Sequence, residues 1–226
     1  MVSSAVKKYA ALCMVCLCSS LFFLGLYQFN NKYSQNTIQA ANGILALSEE
    51  ELQKSPVRFL VSGWAFYPDA LLTPEEIQDE SHYMRYLSIG EQTNFSSPAN
   101  PSPYGCGTYQ MTFFLPERKE AYALEIPEVF SAYNLYLDHD LILQMGEPAQ
   151  GTPLVQNRMV TFHGGKPVTL TIAVSNYDHF YGGIVYPPAF GTMLAVNTTR
   201  GIRFAFCLFS CTVTFVLSLI HISEPT

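Results

Sequence analysis

Residues 104–146, YGCGTYQMTFFLPERKEAYALEIPEVFSAYNLYLDHDLILQMG, constrain the fold of this chain more than any other stretch. In the first part, Tyr109, Met111, Phe113 and Leu115 alternate with Gln110 and Thr112. Tyr122, Leu124 and Ile126 then alternate with Ala123 and Glu125, and Tyr133, Leu135 and Leu137 with Asn134, Tyr136 and Asp138. A period of two puts alternate side chains on opposite faces, so this is a run of half-buried antiparallel strands. Pro116 and Pro127 end the first two, because proline cannot donate to a strand ladder. Asp138-His139-Asp140 lies between two apolar runs, where a tight hairpin turn fits.

The same pattern continues on both sides. Val57 to Tyr67 reads as a strand closed by Pro68, and Tyr83 to Ile89 as a short one. Val155 to Phe162 and Val168 to Ser175 are joined at His163-Gly164-Gly165-Lys166, and Ala189 to Val196 is expected as a last strand. Helix is confined to short pieces. Ser48 with Glu51 three residues on makes a capping box, and Thr73 before Pro74 makes an N-cap with proline at the first helical position. Asn94 to Pro103 reads as an irregular, proline-rich loop. About eight strands at spacings of roughly 8–15 residues predict a mainly β chain, a β-sandwich of jelly-roll type.

Several short motifs strengthen that reading. They are Gly105-Cys106-Gly107-Thr108-Tyr109 entering a strand, Leu115-Pro116 closing it, and Ala123-Leu124-Glu125-Ile126-Pro127. Ser131-Ala132-Tyr133-Asn134-Leu135-Tyr136-Leu137 follows, then Val174-Ser175-Asn176-Tyr177 and Gly182-Gly183. In order and spacing they resemble the galactose-binding-like jelly-roll module that accompanies the barrels of family-2 glycoside hydrolases. They are closer still to its version in the extracytoplasmic sensors of bacterial seven-transmembrane receptors with diverse intracellular signalling modules. The resemblance covers about Val57 to Val196. It departs at the hairpin, where that family usually has Asn-Gly and this chain has Asp138-His139-Asp140.

Two apolar runs bracket the β-rich part. Tyr9 to Phe29 is 21 residues without a charge, long enough to cross a bilayer core. Lys7 and Lys8 precede it, which places residues 1–8 in the cytoplasm and 9–29 as an anchor. A cleaved signal peptide is the competing reading, with a shorter apolar region and small residues at its cleavage site. Phe204 to Ile220, 17 residues, is at the short end of a span, and a second transmembrane helix is expected over 202–220. The order expected is then a juxtamembrane linker at 30–56 and an extracytoplasmic jelly roll at 57–197. The tail Leu219-Ile220-His221-Ile222-Ser223-Glu224-Pro225-Thr226 resembles a translated sequencing adapter, so residues from about 218 are expected to be artefactual and the frame to stop inside a larger membrane protein.

Charge and cysteine usage narrow the function classes. The segment from Asn30 to Gly201 carries nine Lys/Arg against 17 Asp/Glu, a net charge of −8, which argues against nucleic acid and against anionic lipid as partners. Five of the six cysteines lie in the apolar runs, where they read as small apolar residues. Cys106 alone lies between them, so no intramolecular disulfide is available there.

Signatures of catalysis fail in turn. The chain has no His-Glu-x-x-His, no Gly-x-Ser-x-Gly and no P-loop, and Gly105-Cys106-Gly107 lacks the third glycine of a dinucleotide fingerprint. Asp138-His139-Asp140 reads as a solvated turn before a metal site, and Glu75, Glu76, Asp79 and Glu80 as a solvated face before a glycosidase pair. Trp64, mid-strand, reads as core before a sugar-stacking platform, and Tyr109 and Tyr133 as core. The candidate ligand-binding residues are loop aromatics and their polar neighbours: Tyr104, His163, Tyr177, Asp178, His179 and Tyr181. No cofactor and no metal are expected.

By resemblance, the chain is expected to be the sensory part of a bacterial membrane receptor. Its ectodomain would bind an extracellular small molecule or glycan, and a histidine kinase or diguanylate cyclase would follow beyond the sequence given. The lipid bilayer is the second partner, and pairing of two chains through the apolar helices a third. A surface-tethered carbohydrate-binding module and an accessory fragment of a glycoside hydrolase are the rival readings.

Overall fold

A computed structural model describes residues 4–33, 37–78, 82–90, 95 and 102–223, and the chain divides into two compact units, Met1–Gln35 and Asn36–Thr226. The first unit is the helix α1, Ser4–Asn30, almost wholly exposed around its circumference.

The second unit holds eleven strands among its described residues: β1 (Ile44–Ala46), β2 (Val57–Phe59), β3 (Trp64–Pro68), β4 (Arg85–Leu87), β5 (Gly105–Phe114), β6 (Tyr122–Ile126), β7 (Ala132–Leu137), β8 (Asp140–Met145), β9 (Arg158–Phe162), β10 (Val168–Asn176) and β11 (Ala189–Thr192). Short helices α2 (Glu49–Lys54) and α3 (Pro74–Ile77) join them, and a long helix α4 (Met193–Ser223) follows β11. One sheet runs in the order β4-β3-β5-β10-β7-β8, with β1 parallel to β5, and the other in the order β2-β11-β6-β9. From β5 onward the chain crosses between the sheets repeatedly, and the two pack as a β-sandwich, the mainly β class the sequence predicts.

Alternation explains the core. In the larger sheet Tyr109 pairs with Ile172 and Met111 with Leu170, while Leu135 lies opposite Ile172 on β7, so these large apolar residues collect on one face. Tyr122, Leu124, Ile126, Phe162 and Phe190 answer from the smaller sheet, and all are buried. Phe190 stands at the centre of an aromatic cluster, with ring centroids 5.1 Å from Phe113, 5.8 Å from Tyr122 and 6.1 Å from Phe162. Trp64 is wholly buried and its indole N–H donates to the Leu60 carbonyl at 3.0 Å, which settles it as core.

Both capping boxes form, Ser48 with Glu51 on α2 and Thr73 with Glu76 on α3. The hairpin between β7 and β8 turns on Asp138 and His139. Asp138 is left-handed at φ 53°, and its carboxylate accepts the Thr169 N–H at 2.8 Å. Its short polar side chain tolerates the conformation that glycine usually supplies.

Other expectations change. Val57 to Tyr67 is two strands in different sheets, because Gly63 at φ 80° turns the chain where any Cβ would strike the Ala40 carbonyl. Pro68 is the last residue of β3 rather than its terminator. The strands expected at 83–89 and 155–162 shorten to Arg85–Leu87 and Arg158–Phe162. Most of the loop expected at 94–103 lies outside the described residues. Residues 40–52, expected as linker, contribute Ala40, Leu45, Leu47 and Leu52 to the core. The strand expected to run from Ala189 to Val196 stops at Thr192, and α4 starts at Met193, nine residues before the expected second helix. Thr192 decides this: its hydroxyl accepts the Ala195 N–H at 3.3 Å, an N-cap that diverts the chain into helix. α4 continues to Ser223, and 224–226 lie outside the described residues.

Candidate functional site

Five of the six sequence-predicted site residues gather at one end of the sandwich, and Asn176 organises them. It is the last residue of β10 and fully buried. Its amide nitrogen donates to the Pro103 carbonyl at 2.7 Å and to the His179 carbonyl at 2.6 Å, while its amide oxygen accepts the His179 N–H at 3.1 Å. One side chain therefore closes the turn after β10 and ties it to the segment entering β5. Tyr104, beside Pro103, and Tyr177, Asp178, His179 and Tyr181 are brought to a common rim.

Ring stacking shapes the rim further. His179 lies on Phe130 with centroids 4.7 Å apart and planes 9° apart, and Tyr181 stands 6.0 Å from Phe130 and 5.7 Å from His179. The Tyr181 backbone N–H donates to His179 Nδ1 at 3.0 Å, so the neutral imidazole carries its proton on Nε2. Tyr177 packs onto Gly151 (φ 72°), where a Cβ would collide with its ring. Gly183 donates its N–H to the buried Ser131 hydroxyl at 3.1 Å. Phe180 is the most exposed of the group at 73%, and Tyr104, Tyr177 and Tyr181 are about half exposed. The rim thus offers flat apolar faces edged by tyrosine hydroxyls, an imidazole and the exposed Asp178 carboxylate.

His163 does not join them. It follows β9 and precedes β10, whereas Tyr177 follows β10, so the nine residues of that strand separate the two by about 30 Å at roughly 3.3 Å per residue. Gly165 beside it donates to the Leu115 carbonyl at 3.0 Å, which fixes His163 at the opposite end of the sandwich. Phe130 and Asn176 are the rim residues sequence reasoning missed. Asn176 stood inside the Val174-Ser175-Asn176-Tyr177 motif, a buried-polar signal; Phe130, between strands, gave none.

In Asp138-His139-Asp140 the histidine faces α3: His139 Nδ1 lies 3.0 Å from a Glu75 carboxylate oxygen, and both side chains are exposed. Cys106, half-buried, has its thiol pushed up by burial and then by the Asp69 carboxylate, which makes it a poor nucleophile.

The second notable place is the start of α4. Met193 donates its N–H to the Ala121 carbonyl at 3.0 Å and Leu194 to a Glu120 carboxylate oxygen at 2.9 Å. Val196 is 1% exposed, Arg200 lies 3.9 Å from Glu125, and the Arg203 guanidinium sits 5.1 Å from the centroid of Phe59. The first three turns of α4 are therefore part of the folded domain. The same helix continues without a break into an exposed, uncharged run. By length and composition Val6–Phe29 and Met193–Leu219 are each apolar enough to cross a membrane.

No family model matches the chain, and no curated protein is similar to it. Solved structures similar to its sandwich include a family-2 β-galacturonidase from Eisenbergiella tayi bound to galacturonate, with TM-score 0.42 and 14% identity over 60% of this chain and 24% of that one. A Faecalibacterium prausnitzii β-glucuronidase aligns with TM-score 0.42 and 17% identity over 61% of this chain and 32% of that one. A family-2 glycosyl hydrolase from Bacteroides cellulosilyticus aligns with TM-score 0.47 and 11% identity over 61% of this chain and 21% of that one. The chain spans between about a fifth and a third of the length of these enzymes.

Proposed function

We propose that this chain is the sensory portion of a bacterial membrane receptor. Its β-sandwich lies outside the cytoplasm, held there by α1 and α4, with residues 1–8 inside. The sandwich recognises an extracellular small molecule or glycan, and binding shifts how α4 packs on the smaller sheet. A histidine kinase or diguanylate cyclase is the effector the resemblance implies.

One observation carries this reading: α4 is docked on the sheet through Met193, Val196, Arg200 and Arg203 and then becomes an apolar run of membrane length without an intervening linker. A module that only displays a binding surface needs no such rigid junction, whereas a sensor does.

The test is hydrogen exchange on the full chain in lipid nanodiscs, after a thermal-shift screen of saccharides and small metabolites finds a binder. Binding should change the protection of amides in Met193–Arg203. A binder that leaves those amides untouched would leave a tethered binding module in place of a receptor.

A further inference from the structure

The rim and the membrane-length part of α4 lie at the same end of the sandwich, and this follows from strand register and two side-chain contacts of α4. α4 leaves β11 beside Thr192, which pairs with Tyr122. Seven residues later Arg200 reaches Glu125, and Arg203 reaches Phe59. Glu125 and Phe59 both pair with Ala189. In ten residues, about 15 Å at roughly 1.5 Å per residue, α4 has therefore crossed the smaller sheet from the Tyr122 end toward the Ala189 end. Beyond Arg203 it carries no charge through Leu219.

The Ala189 end is where the connections between sheets at 127–131 and 177–188 run. The first joins Ile126 to Ala132, and the second joins Asn176 to Ala189. Phe130 stands in the first connection, and Tyr177, Phe180, Tyr181 and Tyr186 stand in the second. Tyr104 joins them through the Pro103–Asn176 hydrogen bond. These rings consequently crowd the end of the domain toward which α4 runs.

We infer that this aromatic rim rests in the headgroup layer of the bilayer that α4 enters, as a seat for the sandwich on the membrane. The inference rests on the membrane reading of α4. The occupant is the interfacial zone of a zwitterionic bilayer. Amphipathic rings with hydroxyl or imidazole edges favour that depth, and the acidic surface of the domain disfavours anionic headgroups. Phe180, 73% exposed, forms one exposed aromatic patch with the half-exposed Tyr104, Tyr177 and Tyr181. Its ring leans edge-on against Tyr181, with centroids 5.5 Å apart. The Asn176 hydrogen bonds and the His179–Phe130 stack hold the loop in place, so little ordering remains for insertion to cost.

The experiment uses the full chain in phosphatidylcholine vesicles, with tryptophan placed by Phe180→Trp or, at the far end, by His163→Trp. Native Trp64 is wholly buried and supplies an unquenched background. The Phe180→Trp emission should be blue-shifted and quenched by lipid carrying a nitroxide near the headgroup. The His163→Trp emission should be quenched by aqueous iodide and not by the lipid. Phe180→Trp emission open to iodide and indifferent to nitroxide lipid, in a chain that stays in the vesicles after an alkaline wash, would overturn the seat alone. Release of the chain by the wash would overturn the membrane reading and the seat together. Emission that answers to an added saccharide but not to nitroxide lipid would overturn the seat and return the rim to ligand binding.

Discussion

His179 lies flat on Phe130, centroids 4.7 Å apart and planes 9° apart, although the two residues come from different connections between the sheets. That stack and the three Asn176 hydrogen bonds make the rim a fixed surface rather than a loose loop.

Asn176→Ala should therefore cost about 2–4 kcal/mol in chemical denaturation, since the part-buried Pro103 carbonyl and the His179 backbone lose their buried amide partner. Asn176→Asp should not restore stability, because both donor bonds are lost. Asp178→Ala, on an exposed side chain, should stay within about 0.5 kcal/mol. Equal losses for Asn176→Ala and Asp178→Ala would refute the assignment of Asn176 as the organiser.

Two buried tyrosines make opposite predictions. The Tyr133 hydroxyl is buried with no hydrogen-bond partner among the described residues, so Tyr133→Phe should leave stability unchanged or raise it by about 1 kcal/mol. Tyr109 has a backbone hydrogen bond with Ile184, so Tyr109→Phe should lower it by about 1 kcal/mol. Burial pushes both phenols up to about 12 from an ordinary value of 10.0. The unfolded chain then releases these protons at lower pH than the folded one. Their contribution is intact below pH 10 and is lost as pH rises toward 12, so stability should fall steeply in that window. Removing either phenol should flatten the fall. A midpoint indifferent to pH there would contradict the burial.

The reach of the sequence follows from what alternation can and cannot encode. β5, β6 and β7 were legible because each has one drier and one wetter face, which a period of two records directly. β10 is buried on both faces from Leu170 on, and was legible because Leu170, Ile172 and Val174 still alternate with smaller or hydroxyl-bearing residues. β2 and β3 were fused because Val57 to Tyr67 stays apolar through Gly63, and only the nearness of Ala40 reveals the turn. α4 was placed nine residues late because Met193-Leu194-Ala195-Val196 fits a strand as well as a helix, and the cap on Thr192 tips it. The rim was legible as five loop residues in two stretches. His163 was grouped with them because loop membership says nothing about which end of a strand a loop occupies.

Arg58 shows how a segment that reads as linker becomes part of the domain. It is 1% exposed, and its guanidinium donates to the carbonyls of Ile38 at 3.4 Å and of Glu51 and Ser55 at 3.1 Å each. Burial lowers its proton affinity, and the Glu51 carboxylate partly restores it. Arg58→Met should cost about 3 kcal/mol, because three part-buried carbonyls lose a charged donor. Arg58→Lys should recover little, since one ammonium cannot span three carbonyls. Thermal denaturation in detergent reads both, and a stable Arg58→Met protein would show that residues 38–55 are held by their apolar contacts alone.

The last prediction concerns Gly201, which lies in the last docked turn of α4, between Arg200 and Arg203, just before its apolar run. A Cβ there meets nothing within 4 Å, so the glycine is not required by close packing. It instead weakens the helix by about 1 kcal/mol relative to alanine at the point where the domain hands over to the apolar helix. Gly201→Ala should accordingly slow hydrogen exchange of the amides around Asn197–Arg203 without changing the sandwich. Gly201→Pro removes the hydrogen bond to the residue 197 carbonyl and clashes with it. It should unlatch Arg203 from Phe59 and speed exchange across the first three turns, while the aromatic cluster around Phe190 keeps its melting behaviour. If Gly201→Pro leaves exchange at Met193–Arg200 unchanged, those turns are held by Val196 and the cap on Thr192 alone. The rigid handover from sheet to helix would then be ruled out.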